Sequence, residues 1–518
     1  MGCGILLTYP QIAAYSGIHG LFVYALCGAI PLVIFAVLGP IIRKKTPHGF
    51  VMTEWVRQRY GIGASWLVSC ATILTVYLFM VSELTSIQAV IESLTNLKGW
   101  PALIVEACVT GIYTSLGGFQ TSFFTDNLQA PAVLALLIIV IAAMGAEIKI
   151  DKSLVGPSGL LKGNLLGWKL IYILFVAIMT NDCFMAGFWL RTFASKTNRD
   201  LYIACTIAGF LFFIICAGVG IPGMLAVWAK LIDPASPTFE EDSQVAFFLV
   251  LKELPKWVHG FTLVFACLLS SCTIDSFQSA LASTVSNDFF RNRVRKIWVR
   301  AFTLATLAPS IVVALQAPNV LNIYLICDVL SSAIIPVLFL GLSKYFWFVT
   351  GLEIFMSLIG GIIGVFVFGT IFWHSAAGGG AQLIMSNGIY GDDWSAFGTF
   401  VVAPLASVVG AMLSILARGI WLACSTKRLW AVFDEPTAPT TAWGRFWFGH
   451  DDILVKHHTI PWYERYNMPA WCKTVDYWIF IQDYELAEKP HEGSDESDSV
   501  VTTSEKESSV KNEAIIIS

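Results

Sequence analysis

Long apolar runs recur along this chain, and they restrict its possible folds more than any other feature of the sequence. A helix rises 1.5 Å per residue, so crossing about 30 Å of hydrocarbon takes about 20 apolar residues. Eleven runs of roughly that length follow one another along the sequence, and they are too long to be strands. We predict spans at 18–42, 63–92, 99–116, 122–145, 168–189, 201–229, 258–286, 298–318, 320–343, 346–372 and 398–424. Residues 2–17 are also apolar, but they are short and we expect Pro10 to interrupt them.

The composition agrees with a bilayer environment. Of 518 residues, 56% are hydrophobic and 13% are charged, whereas a soluble domain carries about 25% charged residues. The net charge of −4 is small and the basic residues lie in short clusters, so we predict no nucleic-acid partner. The twelve cysteines include no C-x-x-C pair, so no metal site is predicted from them. We therefore predict an all-α polytopic membrane protein with the lipid bilayer as its surroundings.

Basic side chains collect in three stretches between the predicted spans, at residues 43–45, 191–199 and 291–300. With the spans above, all three fall on one side, together with the tail that follows the last span. Because short cytoplasmic loops carry the excess of lysine and arginine, we predict that this side and the C-terminal tail are cytoplasmic. The acidic stretch 233–242 falls on the other side.

Composition divides the chain into three parts. Residues 1–424 form the predicted transmembrane domain. Residues 425–484 are charged and rich in tryptophan, which is typical of a cytoplasmic segment lying at a membrane interface. Residues 485–518 are rich in serine and acidic side chains and lack the apolar content to fold alone, so we predict a disordered tail.

An ionisable side chain in hydrocarbon costs about 2.5–3.5 kcal/mol on insertion scales, so each one within a span needs a physical reason. Asp182 follows Thr180 and Asn181 inside an apolar span. Such a polar interruption is typical of a locally unwound helix that lines a cavity. The alternative is a hydrogen-bonded cluster that packs helices together.

A second polar group lies in the predicted span 258–286. Four-residue spacing puts Ser271, Asp275 and Ser279 along one helical face. Oxygen atoms on one face suit a hard cation such as sodium, and a buried carboxylate can equally carry a proton. The alternative is a polar seam against another helix.

Four other acids lie within or at the edge of predicted spans. Glu83 and Asp328 are weaker candidates for the same roles, while packing or a misplaced span edge accounts better for Glu106. Asp126 begins a span, where a charge at a helix N-terminus explains it as well as an ion site does. The chain has no H-E-x-x-H motif and no P-loop, so we predict no enzyme activity and no cofactor.

Four local patterns resemble the sodium:solute symporter family and, within it, the fungal and plant urea active transporters. They are an E-x-x-x-x-R-Y-G pattern at 54–61, a G-G…T-D…Q pattern at 117–129, an R-x-x-A-x-K segment at 191–196, and the end of a span at 279–288. The resemblance implies the inverted five-helix-repeat symporter fold, in which two repeats enclose a site in mid-membrane. The family's first helix and half of its core helix one would precede Gly2, so we expect the fold to lack them.

The resemblance also implies roles for particular residues. These are substrate binding by Thr180, Asn181 and Asp182, sodium binding by Cys272 and Thr273, and a further cation site at Asp126. It implies a secondary active transporter of the plasma membrane that imports urea or a related small nitrogenous solute, coupled to H⁺ or Na⁺.

Some residues depart from the family's pattern. Cys272 stands where a serine or threonine is usual, and because a thiol is a poor sodium ligand, protons or the use of Ser271 and Asp275 are favoured. Asp182 and Asp275 are carboxylates where uncharged residues are usual, so a cationic substrate such as a polyamine is an alternative to urea. A non-transporting membrane sensor derived from such carriers is a further alternative.

Overall fold

The fold is built from helices whose lengths follow the apolar runs of the sequence. The computed structural model describes residues 2–46, 51–291, 293–316, 320–391, 393–428, 431–433 and 446–447, without the side chains at 116–126, 128, 130, 296, 344, 426 and 431. Its α-helices are α1 Ile5–Lys45, α2 Met52–Tyr60, α3 Ile62–Thr95, α4 Trp100–Glu147, α5 Lys152–Val155, α6 Leu165–Asp182, α7 Ala186–Ala194, α8 Asn198–Trp228, α9 Phe239–Gln244, α10 Ala246–Lys252, α11 Lys256–Thr284, α12 Lys296–Ala314, α13 Val320–Leu340, α14 Gly351–Phe372, α15 Ala376–Leu383 and α16 Ser395–Thr426. A π-helical turn, Val285–Phe289, continues α11.

Nine helices in the part of the chain that the structure describes are long and apolar enough to cross a membrane. They are α1, α3, α6, α8, α11, α12, α13, α14 and α16. Each coincides with one of the eleven spans predicted from the sequence, which confirms nine of those predictions. The other two predicted spans, 99–116 and 122–145, both fall within α4.

The loops at one end of the molecule are joined by basic side chains. Arg43 donates a hydrogen bond to the carbonyl oxygen of Ser195 at 2.8 Å, and Arg291 forms an ion pair with Glu54 at 2.8 Å. These contacts gather the three basic stretches of the sequence at the same end, as predicted, and we name it the basic end. Helices α3 and α8 both begin there, so both finish at the opposite end of the molecule.

Helix α4 differs from the two separate spans that we predicted, because it is helical from Trp100 to Glu147. A straight helix of 48 residues would be about 72 Å long, more than twice the hydrocarbon thickness. Helix α4 begins just after α3 ends. Just beyond the end of α4, the Asp151 N–H donates a hydrogen bond to the carbonyl oxygen of Trp228, the last residue of α8, at 2.9 Å. Both ends of α4 therefore lie at the opposite end, as two successive crossings require, although the backbone is helical where we expected a connecting loop.

Helix α1 contains a sharp break at Gly17. This residue has φ 61° and ψ −152°, a conformation that glycine adopts far more readily than other residues. A Cβ atom at Gly17 would lie 1.9 Å from the carbonyl oxygen of Leu160, so the position has no room for a side chain. We expected Pro10 to interrupt this segment, and that was wrong, because α1 continues through it. Proline removes one backbone hydrogen bond, and a membrane helix tolerates this loss when neighbouring helices enclose that part of the helix.

Helices α1 and α8 approach most closely where Pro10 meets Gly223. A Cβ atom added to Gly223 would lie 1.9 Å from the carbonyl oxygen of Pro10, which is a backbone atom that cannot rotate away. Small residues permit such close approach of helices in membranes. The break at Gly17 and the contact at Gly223 together fix the first part of α1 against α8.

We expect Gly223→Ala to lower the melting temperature of the purified protein in detergent by several degrees. The two backbones must separate, and overpacking of this kind costs about 1–3 kcal/mol. Gly260→Ala is the matched control, because Gly260 lies within α11 with nothing within 4 Å of its Cβ position. Size-exclusion chromatography after heating measures both variants. Equal melting temperatures for G223A and the unaltered protein would contradict this account of the packing.

The chain beyond α16 returns to the basic end. Trp347 Nε1 donates to the carbonyl oxygen of Phe433 at 3.1 Å, and the ring of Phe446 packs edge-on against Trp66 with centroids 6.3 Å apart. Aromatic contacts of this kind are compatible with an interfacial position for the segment 425–484, which stays a prediction. Residues 485–518 lie outside the described residues, and their disorder also stays a prediction.

Candidate functional site

The apolar run that contains Asp182 is divided between two helices. Asp182 is the last residue of α6, and α7 begins after a short non-helical segment. Phe184 N–H donates to the carbonyl oxygen of Asn181 at 2.8 Å, and Trp189 Nε1 donates to that of Cys183 at 2.7 Å. These bonds satisfy backbone groups that the break exposes. The helix is therefore interrupted at Cys183–Met185, directly after the polar residues Thr180–Asp182, which themselves are helical.

Helix α13 brings a second acid to the broken helix. The hydroxyl groups of Thr180 and Ser331 hydrogen bond at 2.9 Å, which joins α6 to α13. One turn earlier on α13, Asp328 is 6% exposed and lies near Asn181 and Asp182. Two carboxylates therefore share one enclosed region.

From the sequence we ranked Asp328 as a weaker candidate, because the sequence of an apolar span does not show which helix an acid within it faces. Asp328 and Ser331 are three residues apart, so they share a helical face. This spacing is the signal that indicates a polar face on α13, although it does not identify the helix that this face contacts.

Asn181 has an unsatisfied group in the same region. Its side-chain oxygen is buried and has no hydrogen-bond partner among the described residues. A buried acceptor without a partner costs about 1–3 kcal/mol. A bound molecule that carries N–H groups would remove this cost.

Basic side chains do not neutralise Asp182 or Asp328 within the described part of the chain. The ion pairs found there are Asp151 with Lys230, Glu54 with Arg291, and Glu353 with Arg418. All three lie away from the broken helix. The region is consequently suited to a ligand that brings positive charge.

The first part of α1 adds aromatic rings to this region. Tyr9 and Tyr24 come from opposite sides of the Gly17 break and stack with centroids 4.1 Å apart and planes at 7°. Tyr24 lies near Asp328. Aromatic rings beside carboxylates are favourable surroundings for ammonium groups.

The predicted ion-coupling residues of α11 divide between two faces. Ser271 donates to Glu106 of α4 at 2.8 Å, and Asp275 accepts from the hydroxyl of Tyr113 at 2.9 Å. Thr273, whose hydroxyl bonds the carbonyl oxygen of its own helix at 2.9 Å, points about 200° around the helix from Ser271.

The structure therefore places Ser271 and Asp275 on one face of α11, and Thr273 points away from that face. Glu106 lies inside this contact between α4 and α11, which agrees with the packing alternative and not with a misplaced span edge. Cys272 is adjacent to both faces and only half-buried. The side chain of Asp126 lies outside the described residues, so its predicted role stays a prediction.

A buried acid closes the basic end. Asp288, in the π-helical turn, is 5% exposed and accepts hydrogen bonds from Thr53 at 2.8 Å and Ser69 at 2.7 Å. It thereby ties α2 and α3 to the end of α11. Nearby, burial lowers the pKa of the Arg57 guanidinium, with the positive charge of Arg291 as a second cause. Sequence reasoning missed Asp288, because an acid at the end of a span resembles a solvated charge.

Little space remains between the broken helix and the basic end. The cavity there has a volume of about 10 Å³, which is about the space of a single water. Its lining includes Thr53 of α2, Thr72 of α3, Cys183 at the break, and Thr284 of α11. From this small volume we infer that the basic end is closed beside the broken helix.

Aromatic rings cover the opposite end. Tyr15 stacks on Tyr390 with centroids 4.2 Å apart and planes at 5°, and it packs against Phe239 of α9 at 4.6 Å. The three rings come from α1, from α9 and from the segment before α16. An enclosed site at a broken helix, with contacts at both ends of the molecule, is the arrangement of a secondary transporter.

Comparison with known proteins agrees with this class. The model of the sodium:solute symporter family matches residues 1–364. A spermidine transporter of Candida albicans is 51% identical over 421 residues, covering 81% of this chain and 80% of that protein. A probable urea active transporter of Schizosaccharomyces pombe is 30% identical over 146 residues, covering 28% of this chain and 22% of that protein. A sodium-coupled sialic acid symporter of known structure aligns with a TM-score of 0.55 at 12% identity, over 79% of this chain and 89% of that chain.

The chain belongs to the sodium:solute symporter family. It is an integral membrane symporter with the inverted-repeat fold, and it is not an enzyme. Its substrate is a small molecule, and its transport is coupled to a cation. These conclusions confirm the family and the fold class predicted from the sequence.

Proposed function

We propose that this chain imports spermidine or a closely related polyamine across the plasma membrane, driven by a cation gradient. The observation that carries the proposal is the pair Asp182 and Asp328. They lie together at the broken helix, and no basic side chain among the described residues pairs with them. The basic end and the tail beyond α16 would face the cytoplasm.

Polyamines suit this pair because of their charge. An alkylammonium group stays protonated at neutral pH, as lysine does with its pKa of about 10.4. Between two carboxylates it relieves their repulsion and donates charged hydrogen bonds, each contributing about 1.5–3 kcal/mol. The unpaired oxygen of Asn181 and the rings of Tyr9 and Tyr24 would complete the contacts. The substrate in the name of the Candida albicans relative belongs to this chemical class.

Urea is the second candidate substrate. The uncharged polar groups of Thr180 and Asn181 favour it, as does the similarity to the Schizosaccharomyces pombe protein. Urea is neutral, however, and would leave two carboxylates uncompensated in a region of low dielectric constant. The similarity also covers 28% of this chain, against 81% for the spermidine transporter. We therefore rank urea second.

Two groups of residues are candidates for the coupling cation, H⁺ or Na⁺. Cys272, Thr273 and Asp126 form the group that the family resemblance implies. Ser271 and Asp275 form the other, on the face that contacts α4. Because a thiol is a poor ligand for sodium, the first group suits Na⁺ less well than a pair of hydroxyls would.

Uptake of labelled spermidine and labelled urea tests the proposal in cells that lack their own polyamine and urea carriers. We expect this chain to concentrate spermidine, and we expect unlabelled polyamines, but not urea, to compete. Cells that carry an empty vector receive the same unlabelled competitors in parallel and serve as the control. Concentration of urea without spermidine, by protein that reaches the cell surface, would show the substrate assignment to be wrong.

A further inference from the structure

A second acidic region lies between α4 and α11, apart from the broken helix. Glu106 of α4 accepts a hydrogen bond from Ser271 at 2.8 Å, and the Tyr113 hydroxyl donates to Asp275 at 2.9 Å. The Tyr113 hydroxyl also lies 3.3 Å from the carbonyl oxygen of Ser271. Asp275 is fully buried, and Glu106 is half-buried. Each carboxyl group therefore accepts a hydrogen bond from a hydroxyl group on the other helix.

A second buried serine hydroxyl beside Glu106 points to a function for this region beyond packing. Ser270 is fully buried, and its hydroxyl lies beside the Glu106 carboxyl group without a well-aligned hydrogen bond to any described residue. A hydroxyl donates to a carboxylate and accepts from a carboxylic acid. Ser270 and Ser271 can therefore hydrogen bond to Glu106 both when its carboxyl group is protonated and when it is ionised. A purely structural contact does not require this.

The groups around these two acids come from several elements. The titratable side chains that face them are Cys3 before α1, Glu83 of α3, Tyr113 of α4, and Cys267 and Cys272 of α11. Glu83 accepts a hydrogen bond from the backbone N–H of Cys3 at 2.7 Å. The region is therefore rich in acids, and each added negative charge makes proton binding more favourable for its neighbours.

We propose that Glu106 and Asp275 form the binding site for a coupling proton, separate from the position of Cys272 and Thr273. The inference rests on the proposed import of a polyamine. A proton from water on the opposite side binds to a carboxylate oxygen of Glu106, and it returns to water after the basic end opens. The hydroxyls of Ser271 and Tyr113 direct their hydrogens at the carboxylates, an arrangement that favours proton exchange over metal coordination.

Reconstituted full-length protein with labelled spermidine tests this site. We expect Glu106→Gln to reduce the stimulation of uptake by an inward proton gradient at least about tenfold, which is about 1.4 kcal/mol of coupling. Counterflow of spermidine without a gradient should stay within about twofold of the unaltered protein, because glutamine resembles the protonated acid. With the E106Q protein, a pH-sensitive dye should no longer show the signal that depends on spermidine. Glu147→Gln is the matched control, since Glu147 is exposed at the end of α4.

Other outcomes overturn the inference. One is an E106Q protein that still accumulates spermidine under a proton gradient, and another is unaltered protein driven only by a sodium gradient. Loss of counterflow in folded E106Q would also overturn it, since Glu106 would then serve structure or substrate binding. If E106Q does not fold, Glu106→Asp decides, because a shifted pH dependence supports the site and an unchanged one contradicts it. Failure of the proposed function looks different, since the unaltered protein would then show no spermidine counterflow.

Discussion

Spermidine uptake should fall at least about 30-fold when Asp328 is replaced by asparagine, and by a similar factor in Asp182→Asn. Each substitution removes one of the two charges that would face an ammonium group. Truncating one partner of a buried charge pair costs about 2–5 kcal/mol, which corresponds to a factor of about 30 to several thousand. Initial uptake rates over a range of spermidine concentrations, normalised to protein at the cell surface, give kcat/KM for each variant.

Asp200→Asn is the control for these two variants. Asp200 is an exposed acid in the first turn of α8, so its loss changes the net charge by the same amount without touching the broken helix. We expect its uptake to match that of the unaltered protein. Full spermidine uptake by the Asp328 variant would show that Asp182 alone contacts the ammonium group, and the paired site would then be abandoned.

The apolar runs predicted nine helices well, because the thickness of the bilayer sets their length directly. The same reasoning missed two local features. It placed a break between 116 and 122, whereas the backbone is helical from Trp100 to Glu147. It also expected an interruption at Pro10, whereas the break lies at Gly17, beside the carbonyl oxygen of Leu160. Both errors concern contacts with other parts of the chain, which local composition does not contain.

The candidate site shows the same division between local and distant information. Asp182 could be recognised because three polar residues interrupt an apolar run, and the face of Ser271 and Asp275 followed from helical spacing. Their partners, Asp328 and Glu106, belong to helices far away in the sequence. Which spans touch is a property of the tertiary fold, so these two acids could be noticed in the sequence but not paired.

The basic end should open much more readily when Asp288 is replaced by alanine. Its carboxylate accepts hydrogen bonds from Thr53 of α2 and Ser69 of α3, and alanine would leave both hydroxyls without that partner. Each buried group left unpaired costs about 1–3 kcal/mol. The closed state would lose about 2–6 kcal/mol, so the population of the open state should rise at least about 30-fold.

Alkylation of Cys183 from the basic end measures this change. Cys183 is buried and lines the small cavity between the broken helix and the basic end, so a polar maleimide reaches it only after that end opens. Mass spectrometry should show Cys183 reacting at least about 30-fold faster in D288A, which corresponds to about 2 kcal/mol. Cys424, exposed near the end of α16, is the internal control and should react equally in both proteins. Unchanged labelling of Cys183 in D288A would mean that Asp288 stabilises the π-helical turn without holding the basic end closed.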